Sequence, residues 1–415
     1  MDTTPKANRI HIALFGRTNV GKSSFLNHLV GQGISITSDI AGTTTDVVEK
    51  AMELLPLGPV LFLDTAGLGD KTELAQKRFE KTNKVFERSD VVLLVVEADV
   101  WTDYEISVVE KAKSFMIPLI VVINKSDVAY PDEKFLSLVK DHAKDIIVCN
   151  STDDALREKD LEKLKGLLKE NLPSDILQDP FLISDLVQAG QIALLVVPID
   201  LEAPKGRLIL PQVQTIRDVL DSDAVCIVSK ERELLSMLDN LKQKPSIVVC
   251  DSQAVLKVAA DVPMDVKMTT FSILFSRVKG DIVQMAQGAA AIDDLVAESR
   301  VLIAEACTHH AIGDDIGRVK IPRWLKAYLG FSPSIDIFAG REYPENIQDY
   351  DLIIHCGACM FNRKQMLTRL KYSKNSNIAI TNYGMCISVL HGVIERTLEP
   401  FPQALIAYQN KKVKR

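Results

Sequence analysis

Residues Gly16-Arg-Thr-Asn-Val-Gly21-Lys22-Ser23 stand between a short apolar run, Ile12–Phe15, and an amphipathic helical pattern. Strand, glycine-bounded loop and helix in that order form a turn that binds phosphate. The glycines let backbone N–H groups wrap an anion, and the helix N-terminus adds positive potential. In such a turn Lys22 reaches the β/γ phosphates and the Ser23 hydroxyl coordinates Mg²⁺. A chance glycine pattern would not fall so regularly between a strand and a helix.

The flanking sequence agrees with that turn. Short β-branched runs at Ile12–Phe15, Val60–Asp64, Val91–Ala98, Leu119–Asn124 and Ile146–Cys149 alternate with helical patterns. The alternation predicts an α/β domain with a mostly parallel sheet over residues 1–172. Pro173 and Pro180 bracket a polar connector. The alternation resumes at Ile192–Ile199, Ala224–Val228 and Ser246–Cys250 without a phosphate loop, so 173–264 reads as a second α/β domain for scaffolding or association. After Pro263 a long helical pattern covers about 270–297. Strand-like runs at Val301–Glu305, Ser334–Phe338, Asp351–Ile354 and Asn377–Thr381 complete a third α/β domain, 265–415.

Two further motifs end strands of the first domain. Asp64-Thr-Ala-Gly67 places a carboxylate that can hold Mg²⁺ through water and a Gly67 amide that can sense the γ-phosphate. Asn124-Lys125-Ser-Asp127 places a carboxylate able to accept two hydrogen bonds from guanine. Adenine has no such donor pair, so a buried Asp127 rejects ATP by leaving its carboxylate unpaired. The base is therefore expected to be guanine. Gly42-Thr43-Thr44-Thr45-Asp46 lies between the motifs, where a loop can supply a second hydroxyl to the metal.

The chain has seven cysteines and a net charge of −6. The acidic balance gives no global field for nucleic acid or anionic lipid. The longest apolar runs, such as Val91–Val96, are too short to span a bilayer. Met1 to Arg9 lacks the apolar core of a secretory signal, so a reducing cytoplasm is the expected compartment. Cys226 and Cys250 lie in apolar runs and read as buried thiols.

Three cysteines stand apart, in the pattern Cys307-Thr-His309 … His355-Cys356-Gly-Ala-Cys359. Two-residue spacing lets both sulfurs of Cys356 and Cys359 face one metal, with Gly357 permitting the tight turn. Cys307 and Cys356 each follow an apolar strand. In open α/β sheets ligands gather at strand carboxyl ends, so the two can converge if their strands are neighbours. A redox pair would leave Cys307 and the histidines unexplained. Zinc and a [4Fe–4S] cluster both suit the donors. His309, His355 and Asp314 are candidates for a fourth ligand, with Cys386 behind them. Each has a plainer role as cap or core residue.

The N-terminal motifs resemble the translation-factor-related GTPases, in the branch of the tRNA-modifying and Era-like proteins, over about residues 8–170. The resemblance implies that Asn19 helps bind K⁺, with Thr43 near that site, and that Thr44 is the Mg²⁺ ligand beside Ser23 and Asp64. Lys22, Thr44 and Gly67 would serve catalysis. The nucleotide contacts would be Gly16, Asn19, Val20, Gly21, Lys22, Ser23, Ser24, Asp64, Gly67, Asn124, Lys125 and Asp127. Leu68 stands where Ras-like GTPases place a water-orienting glutamine, so hydrolysis is expected to be slow and to lean on K⁺. The guanine-contacting Ser-Ala of the fifth motif is replaced by Cys149-Asn150.

Over nearly the whole chain the sequence resembles the [FeFe]-hydrogenase maturation GTPases, the HydF family. The matching stretches are Leu210-Pro-Gln-Val-Gln-Thr-Ile-Arg-Asp, Phe271-Ser-Ile-Leu-Phe, Glu305-Ala-Cys307-Thr-His309-His310, Asp314-Asp315-Ile-Gly-Arg-Val-Lys-Ile-Pro-Arg-Trp324, His355-Cys356-Gly-Ala-Cys359 and Thr381-Asn-Tyr-Gly384. The resemblance implies GTPase, dimerisation and [4Fe–4S]-binding domains in that order. The cluster would be held by Cys307, Cys356 and Cys359 with an exchangeable fourth site. The protein would be a scaffold or carrier for the diiron precursor of the hydrogenase active site, a homodimer working with two radical-SAM maturases and apo-hydrogenase. A GTPase in RNA modification or ribosome assembly with a structural zinc is the alternative, which the acidic charge and lack of a basic segment disfavour. A GTP-gated iron transporter component ranks last, for want of a membrane segment.

Overall fold

The computed structural model describes residues 4–31, 47–65, 83–173, 181–198, 208–306, 315–340, 343–344 and 346–413. Two compact units divide the chain, Met1–Asp179 and Pro180–Arg415.

The first unit is built on β1 (Ile10–Phe15), β2 (Val48–Leu54), β3 (Gly58–Asp64), β4 (Val91–Glu97), β5 (Leu119–Asn124) and β6 (Asp145–Val148). Their order is β2-β3-β1-β4-β5-β6, with β2 antiparallel to β3 and every other pairing parallel. A parallel sheet covered on both faces reads as unbroken apolar runs, because alternate side chains enter two different cores. Ile12 and Leu14 pack with Phe25, Leu26 and Leu164 on one face. Ala13 and Phe15 pack with Phe86, Val108 and Phe135 on the other. Parallel pairing also brings the carboxyl ends of β1, β3, β4, β5 and β6 to one edge, so all three expected motifs begin there.

β2 was not among the expected strands. It carries Glu49, Lys50 and Glu53 at the sheet edge, so no apolar run announces it. Glu49 accepts hydrogen bonds from Lys6 at 2.7 Å and Arg88 at 2.6 Å. Burial works against its charge, yet those two cations hold the carboxyl down at about 2.

The second unit holds two parallel four-stranded sheets. One contains β7 (Ile192–Val196), β8 (Val225–Ser229), β9 (Ile247–Cys250) and β10 (Lys267–Thr270), in the order β10-β9-β7-β8. The other contains β11 (Arg300–Ala304), β12 (Ser334–Phe338), β13 (Leu352–His355) and β14 (Ala379–Asn382), in the order β12-β11-β13-β14. One continuous apolar core runs from Leu182 to Tyr408 and takes in both sheets. The expected long helix over 270–297 is two helices, Phe271–Lys279 and Ile282–Ala290. Gly280 ends the first, and Asp281 caps the second by accepting from Val283 and Gln284 amides. Helical periodicity continues across the break because both helices bury one face in the same core. Among the described residues no helix is long and apolar enough to cross a membrane.

Helix Ile282–Ala290 lies directly on β14. A Cβ at Gly288 would stand 1.9 Å from the Ile380 carbonyl oxygen, far inside contact distance. Gly288→Ala is therefore expected to cost about 3 kcal/mol, as overpacking against rigid backbone does. The readout is the urea midpoint of unfolding, and an unchanged midpoint would rule out so close an approach.

Candidate functional site

The phosphate loop leaves β1 and enters helix Lys22–Val30. Gly16 and Gly21 have φ of 153° and 90°, and Cβ atoms there would stand 2.4 Å from the Val95 carbonyl oxygen and 2.3 Å from Asn124 Nδ2. Glycine is required at both points by backbone conformation and by space. Lys22 is buried and its Nζ donates to the Gly16 and Arg17 carbonyls at 2.8 and 2.9 Å, which aims the ammonium into the loop. Burial lowers the Lys22 pKa, and the nearby Asp64 carboxylate opposes that shift. Ser23 Oγ donates to Asp64 Oδ2 at 3.1 Å, so two of the three expected Mg²⁺ partners already meet. Burial pushes the Asp64 carboxyl up, against the Ser23 hydrogen bond and Lys22.

Asn124 joins three segments. Its Nδ2 donates to the Val20 carbonyl at 3.1 Å, and its Oδ1 accepts from Ser151 Oγ at 2.7 Å and Ser151 N at 3.3 Å. Lys125, left-handed at φ 60°, donates to the Asn19 carbonyl at 2.6 Å and pairs with Glu97. Asp127, expected to be buried, is exposed. It lies beyond the end of β5, in a turn past the sheet edge. Asn19 is exposed, with φ of 66°. Val20 is buried and Ser24 is exposed, on the first turn of the helix. Thr43, Thr44, Gly67 and Leu68 lie outside the described residues.

Four residues of this site were not singled out beforehand. Ser151, two positions after Cys149, makes the shorter fifth-motif contact to Asn124; the buried Cys149 thiol also donates to Asn124 Oδ1, at 3.5 Å, and burial pushes it up to about 12. Glu97 is the ion-pair partner of Lys125. Tyr104 Oη accepts from the Gly16 amide at 3.1 Å. Glu105 is fully buried and accepts from Arg17 Nε at 3.0 Å and from Thr102 N and Oγ1 at 2.8 and 2.7 Å. Thr102-Asp-Tyr-Glu105 is a capping box that opens helix Asp103–Ser114. That signature follows an apolar strand directly and could have been read from the sequence.

The cysteine pattern sits at the carboxyl edge of the last sheet. β11 and β13 are neighbours, with Ala304 opposite His355. The Cys356 amide donates to the Ala304 carbonyl at 2.9 Å, and the Ala306 amide donates to Cys356 Sγ at 3.1 Å. The chain immediately before Cys307 thus lies against the Cys356 sulfur. Cys307, His309 and Asp314 themselves fall outside the described residues. The left-handed residue of the Cys356–Cys359 turn is Ala358, at φ 51°, and not Gly357. A Cβ at Gly357 would find nothing nearer than Ser272 Oγ at 3.9 Å, so the turn does not require that glycine. Burial pushes the Cys359 thiol up, against the field of Lys279. Lys279 is itself lowered by burial to about 8.

His355 is buried and both ring nitrogens are engaged. Arg369 Nη1 lies 2.8 Å from Nε2, and Nδ1 lies 2.8 Å from the Cys356 carbonyl. Arginine only donates, so Nε2 accepts and the ring proton resides on Nδ1. Arg369 is wedged between the Tyr343 and Phe361 rings, 4.4 and 4.5 Å from their centroids. Burial first, and then Arg369, hold His355 neutral with a pKa near 3. As a candidate fourth ligand, His355 offers no free nitrogen; it braces the cysteine turn. Cys386 is buried in helix Tyr383–Leu390, and burial pushes its thiol up, as a core residue's should be. Glu305 is buried beside this turn and accepts from Arg318 Nη2 at 3.1 Å. Asp315 caps the π-helical turn Ile316–Lys320 by accepting from the Arg318 amide at 2.7 Å.

Comparison with known families matches three models to successive parts of the chain. Residues 11–125 match a 50S ribosome-binding GTPase model. Residues 182–280 match the hydrogen maturase F dimerization domain, and residues 283–400 match the hydrogen maturase F tetramerization domain. The chain belongs to the hydrogen maturase F family. Its architecture is an N-terminal P-loop GTPase domain followed by the family's two α/β domains. A GTPase domain brings GTP and Mg²⁺ as its ligands. Among solved structures, the chain is similar to a variant of Era from Aquifex aeolicus bound to GDP and AlF₄⁻. That match has 21% identity over 60% of this chain and 97% of that one, at a TM-score of 0.32. The G domain of the T. maritima FeoB iron transporter matches at 20% identity, over 38% of this chain and 99% of that one, with a TM-score of 0.27. The elongation factor SelB of Methanococcus maripaludis matches at 18%, over 41% and 36% respectively, with a TM-score of 0.30.

Removing the Ser151 hydroxyl takes one hydrogen bond from the amide that joins phosphate loop and base loop. Ser151→Ala is expected to weaken guanine-nucleotide binding about fivefold, the worth of one such bond. Titration with fluorescent GDP measures it, and an unchanged Kd would show that Ser151 does not support the site.

Proposed function

We propose that this member of the hydrogen maturase F family is a GTP-hydrolysing scaffold or carrier. It binds a [4Fe–4S] cluster and assembles or delivers the diiron precursor of the hydrogenase active site to apo-[FeFe]-hydrogenase. The observation that carries this reading is the contact of the Ala306 amide with Cys356 Sγ across the neighbouring strands β11 and β13. It sets the approach to Cys307 beside Cys356, with Cys359 in the same turn. Three thiolates, those of Cys307, Cys356 and Cys359, suit an iron–sulfur cluster with one coordination position left to an exchangeable ligand. With both His355 nitrogens engaged, His309, Asp314 or an exogenous ligand is the better occupant of that position.

In the GTPase domain Lys22 binds the β/γ phosphates, and Ser23, Thr44 and Asp64 hold Mg²⁺. Gly67 senses the γ-phosphate, and Asn19 with Thr43 holds an activating K⁺. The remaining contacts fall to Gly16, Val20, Gly21, Ser24, Asn124, Lys125 and Asp127, with Asp127 pairing to guanine once the base lies over it. Partners are the apo-hydrogenase and the two radical-SAM maturases, and the protein assembles as a homodimer in the cytoplasm. GTP hydrolysis modulates those encounters. The three domains are taken as 1–172, 173–264 and 265–415.

Anaerobic reconstitution followed by iron and sulfide analysis tests the cluster. Wild-type protein is expected to take up iron and sulfide in equal amounts, and Cys356→Ala to lose most of both. A Cys356→Ala protein with the full complement would eliminate this ligand set. For the base, Asp127→Asn is expected to shift preference from GTP toward xanthosine triphosphate by roughly a hundredfold or more, since a matched polar pair is exchanged. Unchanged selectivity in competition binding would refute the assignment of Asp127.

A further inference from the structure

Helix Phe271–Lys279 belongs in sequence to the dimerization-domain match, yet it runs beneath the cysteine turn of the other sheet. Ser272, near its start, accepts the Gly384 amide through Oγ at 3.2 Å and the Asn382 side chain through its carbonyl at 2.8 Å. The same Ser272 Oγ is the nearest atom to a Cβ placed on Gly357. At the helix's other end Lys279, only 5% exposed, donates from Nζ to the Phe361 carbonyl at 2.6 Å. Phe361 closes the turn by donating its own amide to Ala358. The ammonium is thereby fixed at the end of the turn that carries Cys359, whose charge opposes the effect of burial on Lys279.

A buried ammonium is costly unless an anion or polar partner compensates it. The Phe361 carbonyl is one such partner. A thiolate-ligated iron–sulfur cluster is a larger compensation, because it is anionic and gains one further negative charge on reduction. Charges interact strongly where water is excluded.

We propose that Lys279 is the built-in counter-charge of the cluster site, holding the Cys356–Cys359 turn through Phe361 and favouring the reduced cluster. This rests on the cluster reading proposed above. It adds a residue from the stretch that matches the dimerization-domain model, so that this segment contributes charge to the metal centre. Lys279 is a positioning residue, acting on the cluster through field and turn geometry without ligating it.

The test uses full-length wild type, Lys279→Met and Lys279→Arg, each reconstituted anaerobically and checked for folding by circular dichroism. Iron and sulfide content is measured first, then the midpoint potential by EPR-monitored titration with dithionite. Lys279→Met keeps the length and removes the charge, so a more negative midpoint or weaker loading is expected. Lys279→Arg is expected to restore wild-type behaviour. A Met variant with wild-type loading and midpoint overturns the inference and leaves the cluster reading intact. An Arg variant as impaired as Met overturns it too, by showing that shape and not charge is needed. Wild-type protein that takes up no iron defeats the cluster reading itself, and the inference with it.

Discussion

Parallel strand pairing fixes where every functional group of this protein can gather. In a parallel pair both strands end at the same edge, so loops distant in sequence emerge side by side. The pairing of β11 with β13 brings Ala306 against the Cys356 sulfur across about fifty residues of chain. The pairings of β1 with β3 and β4, and of β4 with β5, do the same for Lys22, Asp64 and Asn124. A slip of one residue would turn each side chain to the other face of its sheet. Register is therefore as important to the sites as the motifs themselves, and cores on both sheet faces enforce it.

The two sites are braced in different ways. Around the phosphate loop the supports are polar and come from several loops: Tyr104 and Glu105 from the β4 crossover, Lys125 and Asn124 from the end of β5, and Ser151 beyond β6. Such a web holds backbone carbonyls and amides in place through side-chain hydrogen bonds. Around the cysteine turn the supports are buried cations. Arg369 acts through His355, and Lys279 acts through Phe361. Positive charge near a turn that carries thiols lowers the cost of thiolate, with or without direct contact.

Much of the first unit was legible because its signals are local. The phosphate loop, Asp64 and the Asn124 motif each occupy a few residues after an apolar strand, and unbroken apolar runs announce strands covered on both faces. β2 escaped because an edge strand with alternating charge has no such run, and the helix break at Gly280 escaped because periodicity persisted through it. In the last sheet the spacing of Cys356 and Cys359 was plain, but the turn's left-handed residue proved to be Ala358, where composition favoured the glycine. His355 looked available from its place beside a cysteine. Its two hydrogen bonds, one to a residue fourteen positions away, depend on packing that spacing does not encode.

By itself the sequence determined the family, the α/β class, the order of domains and the identity of the nucleotide and thiol groups, because each is carried by residue type and short-range spacing. Tertiary structure alone decided which groups are free to act. It put Asn124 and Ser151 together, left Asp127 open at the sheet edge, closed off His355, and set Lys279 against the turn that carries Cys356 and Cys359. Those outcomes arise from burial and from hydrogen-bond partners far apart along the chain. They take effect only when the strands are in register and water has been excluded.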